Sequence, residues 1–155
     1  MNKGVLFGLA FVFSLPCWSA DYMSLKYDQV NLRTGPGERF PISWVYQEKN
    51  YPFEVLDSFE IWRQVREVDG TIGWVNKTML TQKRSVLIRQ ESGLQEKPQP
   101  DSDIVAILQP GVIAQLKECP AGNYCLLKVN YLDKKYEGWF PRSAVWGIDK
   151  DEIVD

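Results

Sequence analysis

Between residues 30 and 37 the chain reads Val-Asn-Leu-Arg-Thr-Gly-Pro-Gly. Val30 and Leu32 point one way, Asn31 and Arg33 the other, and this period of two predicts a short strand. Thr34, Gly35, Pro36 and Gly37 end it, because Pro fixes φ near −65° and Gly admits positive φ. Further strand-like runs follow at 42–46, 53–57, 61–68 and 71–75, with Asp69-Gly70 as the hairpin signal between the last two. Residues 77–80 read as a single helical turn. A second series opens at Val86. It continues through a polar loop at 91–103 containing Pro98 and Pro100, strands at 104–108, 112–117, 125–132 and 136–140, and a turn at 143–146. Residues 149–155 read as an acidic, frayed tail.

The two series look like one unit used twice. Arg33 and Arg89, like Gly37 and Gly93, stand 56 residues apart. Val65 and Val129, like Asp69 and Asp133, stand 64 apart, and Gly73-Trp74 matches Gly138-Trp139 at 65. On this reading the second hairpin is one residue longer, and the drift from 56 to 65 reflects loop insertions, where duplicated β units usually differ. The expected division is 1–20, 21–82, 83–149 and an acidic tail at 150–155. The only linker, 81–85, is short enough to hold the two units at a nearly fixed angle.

Residues 1–20 have the form of a secretory signal peptide. Lys3 supplies a positive n-region, and residues 5–15 are an 11-residue apolar run, too short for the roughly 20 residues that cross a bilayer. Pro16 breaks it, and cleavage falls after Ser19 or Ala20. An uncleaved anchor, or lipidation at Cys17, are the alternatives. The expected location is periplasmic or secreted, and the chain is not membrane-spanning after cleavage. Removing Cys17 leaves Cys119 and Cys125, and an even cysteine count in an exported chain suggests a disulfide. It would staple a hairpin across the turn at 120–124. A redox-active pair is disfavoured, since the spacing is not Cys-x-x-Cys.

Composition narrows the chemistry. The 155 residues include 18 Lys+Arg and 20 Asp+Glu, for a net charge of −2. Such a balance lacks the basic stripe of a nucleic-acid binder. The 45% of apolar residues are enough for a core, and the abundant Trp, Tyr and Phe favour strands and small barrels. Histidine is absent, which removes Ser-His-Asp and Cys-His catalysis and every His-ligated zinc site.

These patterns predict an all-β chain of two tandem small barrels, each of five or so strands. The residues that carry the first unit also resemble the bacterial SH3 domain (SH3b): Val30-Asn31-Leu32-Arg33-Thr34-Gly35-Pro36-Gly37, then Trp62-Arg63-Gln64-Val65, then Gly73-Trp74-Val75. In the second unit Arg89, Gly93, Val129 and Gly138-Trp139 persist, while the first-loop signature has decayed to Leu-Ile-Arg-Gln-Glu-Ser. The resemblance implies SH3-like barrels in an extracytoplasmic bacterial protein. Its implied partners are a cell-wall glycan or peptide, or an envelope protein. Family members are usually attached to a hydrolase domain, whose Cys-His centre this chain has no histidine to build.

The expected function is therefore non-catalytic and free of cofactors and metals: binding of an envelope component, peptidoglycan or an envelope protein. The alternative is a structural or assembly partner of another periplasmic protein with no glycan binding. Arg33 and Arg89 are expected to bond loop carbonyls with their five fixed donors. Asn31, Gly35, Gly37, Gly73, Trp74, Gly138 and Trp139 complete the structural signature, with Trp74 and Trp139 in or beside the core. Gly35-Pro36-Gly37 lacks the Lys-Ser/Thr of a phosphate loop. Trp44, Tyr46, Tyr51, Phe53, Trp62 and Trp146 are the candidates for an exposed aromatic surface, which would stack on sugar rings or a peptide; the alternative is that several fill the interface between the units. Asp57, Glu60, Glu67 and Asp69 read as solvated turn charges, since nothing singles out the carboxylate pair that a glycosidase needs.

Overall fold

The computed structural model describes residues 21–155; residues 1–20, expected to be a signal peptide, and their Cys17 lie outside the described residues. The chain is all-β, with fourteen strands and two short 3-10 turns among the described residues. Unit one contains β1 (Asp21–Leu25), β2 (Val30–Arg33), β3 (Ile42–Tyr46), β4 (Pro52–Phe59), β5 (Trp62–Arg66), β6 (Ile72–Asn76) and β7 (Leu80–Thr81). Unit two contains β8 (Ser85–Ile88), β9 (Ser92–Gln95), β10 (Ile104–Leu108), β11 (Ile113–Glu118), β12 (Tyr124–Tyr131), β13 (Lys134–Pro141) and β14 (Val145–Trp146).

Each unit is one seven-stranded antiparallel sheet, ordered β3-β2-β6-β5-β4-β1-β7 and β10-β9-β13-β12-β11-β8-β14. Every strand of unit one gives a side chain to one core: Leu25, Leu32, Tyr46, Phe53, Val65, Val75 and Leu80. Seven strands can share one core only if the sheet curls around it. The curl does not close: β3 and β7 end the hydrogen-bonded order, as β10 and β14 do in unit two. The units are thus open SH3-like barrels of seven strands, where five or so were expected.

Strand pairing also corrects the internal alignment. β2 pairs with β3 and touches β6 at Arg33–Trp74, and β9 pairs with β10 and touches β13 at Gln95–Trp139. The counterpart of Arg33 is therefore Gln95, and Arg89 is not equivalent to it. Leu25 pairs with Leu80 and Ile88 with Val145, so Val86–Arg89 opens where β1 does. Val65 faces Gly73 as Leu127 faces Gly138. The correct spacings are 63 (Leu25 to Ile88), 62 (Leu32 to Leu94, Val65 to Leu127), 61 (Phe53 to Ala114) and 65 (Gly73 to Gly138). The insertion sits at the second hairpin and adds three residues, where one was expected. Two large core positions are exchanged: Phe53 corresponds to Ala114 and Val75 to Phe140, all fully buried. Trading ring for methyl at one position and the reverse at another keeps the core volume nearly constant.

Four strands escape the hydrophobic pattern: β1, β9 and the two-residue β7 and β14, which fall where turns were expected. β1 carries Tyr22, Ser24 and Leu25 inward, and β9 offers one buried apolar residue, Leu94, inside what reads as a polar loop. The tail is not frayed either. Val154 forms a β-bridge to Cys119, Glu152 pairs with Arg84, and Arg142 Nη1 donates to the carbonyls of Asp149, Lys150 and Glu152 at 3.1, 2.7 and 2.9 Å. Cys119 and Cys125 are bonded across the β11–β12 connection and fully buried within the unit-two core.

The junction between units is packed. The Ser24 and Ser85 hydroxyls bond each other, and Ser85 donates to the Asn50 carbonyl. Tyr22 meets Trp146 edge-on at 5.5 Å between centroids, and Arg84 lies over the Tyr22 ring. Gly147, at φ +111°, lets its backbone approach: a Cβ there would stand 2.8 Å from the Ser85 carbonyl and 3.2 Å from Pro52 Cβ.

Candidate functional site

The signature loop is built for itself. Arg33 Nη1 donates to the carbonyls of Glu38 and Phe40 at 3.0 and 2.8 Å, closing the Thr34–Pro41 loop on its own strand. A side chain at Gly35 would overlap the Phe40 ring, and Gly37 sits against its other side. Gln95, in the Arg33 position of unit two, does the same with one donor: Nε2 to the Pro100 carbonyl at 3.2 Å. Arg89 is exposed, and its backbone N–H bonds Ala144. Gly93 lies within β9, not in a turn. Gly73 and Gly138 are the close approaches the pattern suggests: a Cβ would come within 2.5 Å of Leu32 Cγ and 2.6 Å of the Gln95 carbonyl, respectively. Trp74 and Trp139 are half-buried beside them, and Asn31 is exposed on β2.

The aromatic candidates separate. Trp62, Phe53 and Tyr46 are buried, at 7%, 0% and 6% exposure, so none of the three presents an open face. Trp62 and Phe53 belong to the interior because their strands turn those positions inward. Trp146 is half-buried against Tyr22 at the junction, so it fills the interface and offers no surface. Trp44 stands out, 62% exposed on β3, and Tyr51 is half-buried near it.

Trp44, Tyr46 and Tyr51 share a groove of about 660 Å³ with Ser43, Glu48, Glu67, Asp69 and Thr71. β3 supplies Ser43, Trp44 and Tyr46, and the β5–β6 hairpin supplies Glu67, Asp69 and Thr71. The Tyr46 ring packs on Tyr51 and Phe53, with centroids 5.3 and 5.0 Å away. Tyr51 Oη donates to Glu67 Oε2 at 3.4 Å. The buried Tyr46 hydroxyl makes no hydrogen bond of normal geometry, and Glu67, at the margin of bonding it, is after burial the main influence on it. Burial, then Glu67, hold the Tyr46 and Tyr51 phenols well above their ordinary 10.0, with Asp69 adding to both and Glu48 to Tyr51. Asp69 accepts from the Thr71 N–H at 2.8 Å, which holds its carboxyl below its usual range. No Lys or Arg lines the groove. Among the described residues no three carboxylates are placed to hold a metal. From sequence the hairpin carboxylates read as solvated turn charges, and nothing there marks Glu48. The signal that finds them is the comparison with unit two.

With the pairing above, Trp44 corresponds to Ala106, Tyr46 to Leu108 and Glu67 to Val129. Tyr51 corresponds to Val112, since their carbonyls accept from Leu25 and Ile88. Unit two keeps the fold and replaces every one of these side chains by an aliphatic. Asp57 and Glu60, also weighed as carboxylates, are exposed and outside the groove.

Residues 26–82 match the bacterial SH3 domain family. No curated protein matches the chain. Among solved structures, NlpC2 and NlpC1 from Trichomonas vaginalis align over 83% and 89% of this chain and 48% and 50% of their own, at 13% and 14% identity and TM-score 0.36. An NlpC/P60 family protein from Bacillus cereus aligns over 81% and 55%, at 11% identity and TM-score 0.36. The chain thus spans about half the length of these proteins. With its glycine close approaches, its Arg33-closed loop and its curled sheet, the first unit is similar to the bacterial SH3 domain over residues 26–82.

Proposed function

We propose that this is an exported, non-catalytic binding module that contacts a cell-envelope component, peptidoglycan or an envelope protein, through the groove of unit one. The observation that carries the reading is the contrast between units. A position occupied by Trp, Tyr or Glu in one copy and by Ala, Leu or Val in the other is not dictated by the fold they share. An exposed tryptophan over a concavity is the usual anchor of a binding surface. The SH3b family supplies the envelope context, and residues 1–20 supply the route of export. Unit two acts as a docked support that fixes unit one through the Ser24–Ser85–Asn50 contact.

The test is co-sedimentation with purified cell-wall sacculi. The chain is expected in the pellet, and Trp44→Ala is expected to release it. Equal retention of the two forms, or none above a denatured-and-blocked control, refutes the glycan version.

A second reading, a structural partner of another periplasmic protein, is favoured by the sheet ends. β3 and β10 each leave one edge unpaired, and both carry exposed apolar residues: Ile42 and Val45 on one, Ile104, Val105 and Ile107 on the other. Such edges pair with incoming strands. Crosslinking in periplasm yields a defined protein adduct on this reading and none if the ligand is a sugar.

A further inference from the structure

We propose that the unit-one groove is selective for a cation, and that it takes the primary ammonium group of an extended peptide laid along the free edge of β3. The proposal rests on the reading that this groove is the binding site and names the chemistry it selects.

Three observations point the same way. The groove carries Glu48, Glu67 and Asp69 and no basic residue. The ion pairs among the described residues, Glu54 with Arg66 and Glu152 with Arg84, involve none of the three. Their charges converge on the Tyr51 phenol, which all three push upward after burial has done so. A groove of one sign without an internal counter-ion attracts the opposite sign.

The second observation is Tyr46. It is 6% exposed, it lines the groove, and its hydroxyl makes no hydrogen bond of normal geometry, with only Glu67 at the margin of reach. A buried phenol without a partner costs stability, and unit two shows that an aliphatic serves the fold there. Glu67 changes in concert, to Val129. Tyr46 and Glu67 thus stand together in the groove of unit one, and both of their counterparts, Leu108 and Val129, are aliphatic.

The third is the shape of the occupant. Glu48, Glu67 and Asp69 do not converge as metal ligands would, which favours an organic cation. Trp44 offers an open indole face on which an ammonium gains cation–π attraction. β3 is the terminal strand of its sheet, so the chain bearing that cation has backbone donors and acceptors waiting beside the groove.

The experiment titrates the chain with Nα-acetyl-Ala-Lys-Ala-amide and with the same peptide acetylated at Nε, following the Trp44 indole N–H by NMR. The lysine peptide is expected to shift that signal and to bind about tenfold more tightly than its acetylated form, one ion-pair or cation–π step. Glu67→Gln with Asp69→Asn is expected to erase the preference, and added salt to weaken it. Trp44→Ala serves to assign the signal. Equal affinity of the two peptides, or no shift with either, overturns the proposal. Sacculi with free and with acetylated amines separate it from the envelope reading. Trp44-dependent retention of both kinds leaves that reading standing and removes the cation. A response to the lysine peptide without retention of sacculi does the reverse.

Discussion

Replacing Tyr46 by Phe removes one oxygen and leaves the ring. The ring keeps its contacts with Tyr51 at 5.3 Å and Phe53 at 5.0 Å. The hydroxyl it loses is buried and makes no hydrogen bond of normal geometry, with Glu67 at the margin of reach. An unsatisfied buried hydroxyl costs about 1–3 kcal/mol, and the nearby Glu67 carboxylate recovers part of that, so Y46F is expected to stabilise unit one by about 1 kcal/mol. In a unit of this size that is roughly 4–8 °C in Tm. Calorimetry of both forms at neutral pH reads it directly. Tyr51→Phe is the internal control: its hydroxyl donates to Glu67 at 3.4 Å, so its removal is expected to leave Tm unchanged or lower. The two single-oxygen deletions are expected to differ because the Tyr51 hydroxyl lies within bonding distance of Glu67 and the Tyr46 hydroxyl makes no bond of normal geometry. A fall in Tm for Y46F refutes the reasoning, because it would mean that the hydroxyl bonds Glu67 in solution and that the groove is already satisfied without a ligand.

Stability is expected to decline in alkali. The Tyr22, Tyr46 and Tyr51 phenols are all held above 10.0 by burial first; a raised folded-state pKa contributes stability in full below 10.0 that is lost as pH climbs past it toward the folded values. Absorbance at 295 nm should therefore show these phenols titrating together with loss of the sheet signal, and titration near pH 10 with the fold intact would contradict the burial. Gly138→Ala should destabilise more than Gly73→Ala in denaturant melts, because its Cβ meets the Gln95 backbone where that of residue 73 meets the Leu32 side chain; steric overpacking of this kind costs about 1–3 kcal/mol, and the reverse order would show that the Leu32 side chain cannot yield. Reducing Cys119–Cys125 should cost about 2 kcal/mol, the loop being short; an unchanged melt after reduction and alkylation would mean that the bond constrains nothing.

What the sequence determined by itself was local. The alternation at Val30–Arg33, the Gly/Pro punctuation after it and the Asp69-Gly70 hairpin fix strands and turns through backbone sterics alone. The repeated Gly-Trp pair fixes a close approach, and the spacing of Cys119 and Cys125 places their bond across a hairpin. β9 stayed hidden because Ser-Gly-Leu-Gln carries one apolar residue, and its place between β10 and β13 comes from partners distant in the chain. The same holds for the true register of the repeat, which depends on which residues pair and not on which look alike: Arg89 resembles Arg33 in letters, yet Gln95 holds its place and its bond. Only tertiary structure could sort the aromatics. Tyr46, Trp62 and Trp146 share a composition with Trp44, but burial is a property of the strand a residue faces and of the unit packed on it. Only folding could bring the β3 aromatics and the hairpin carboxylates, some twenty residues apart in the chain, to one groove.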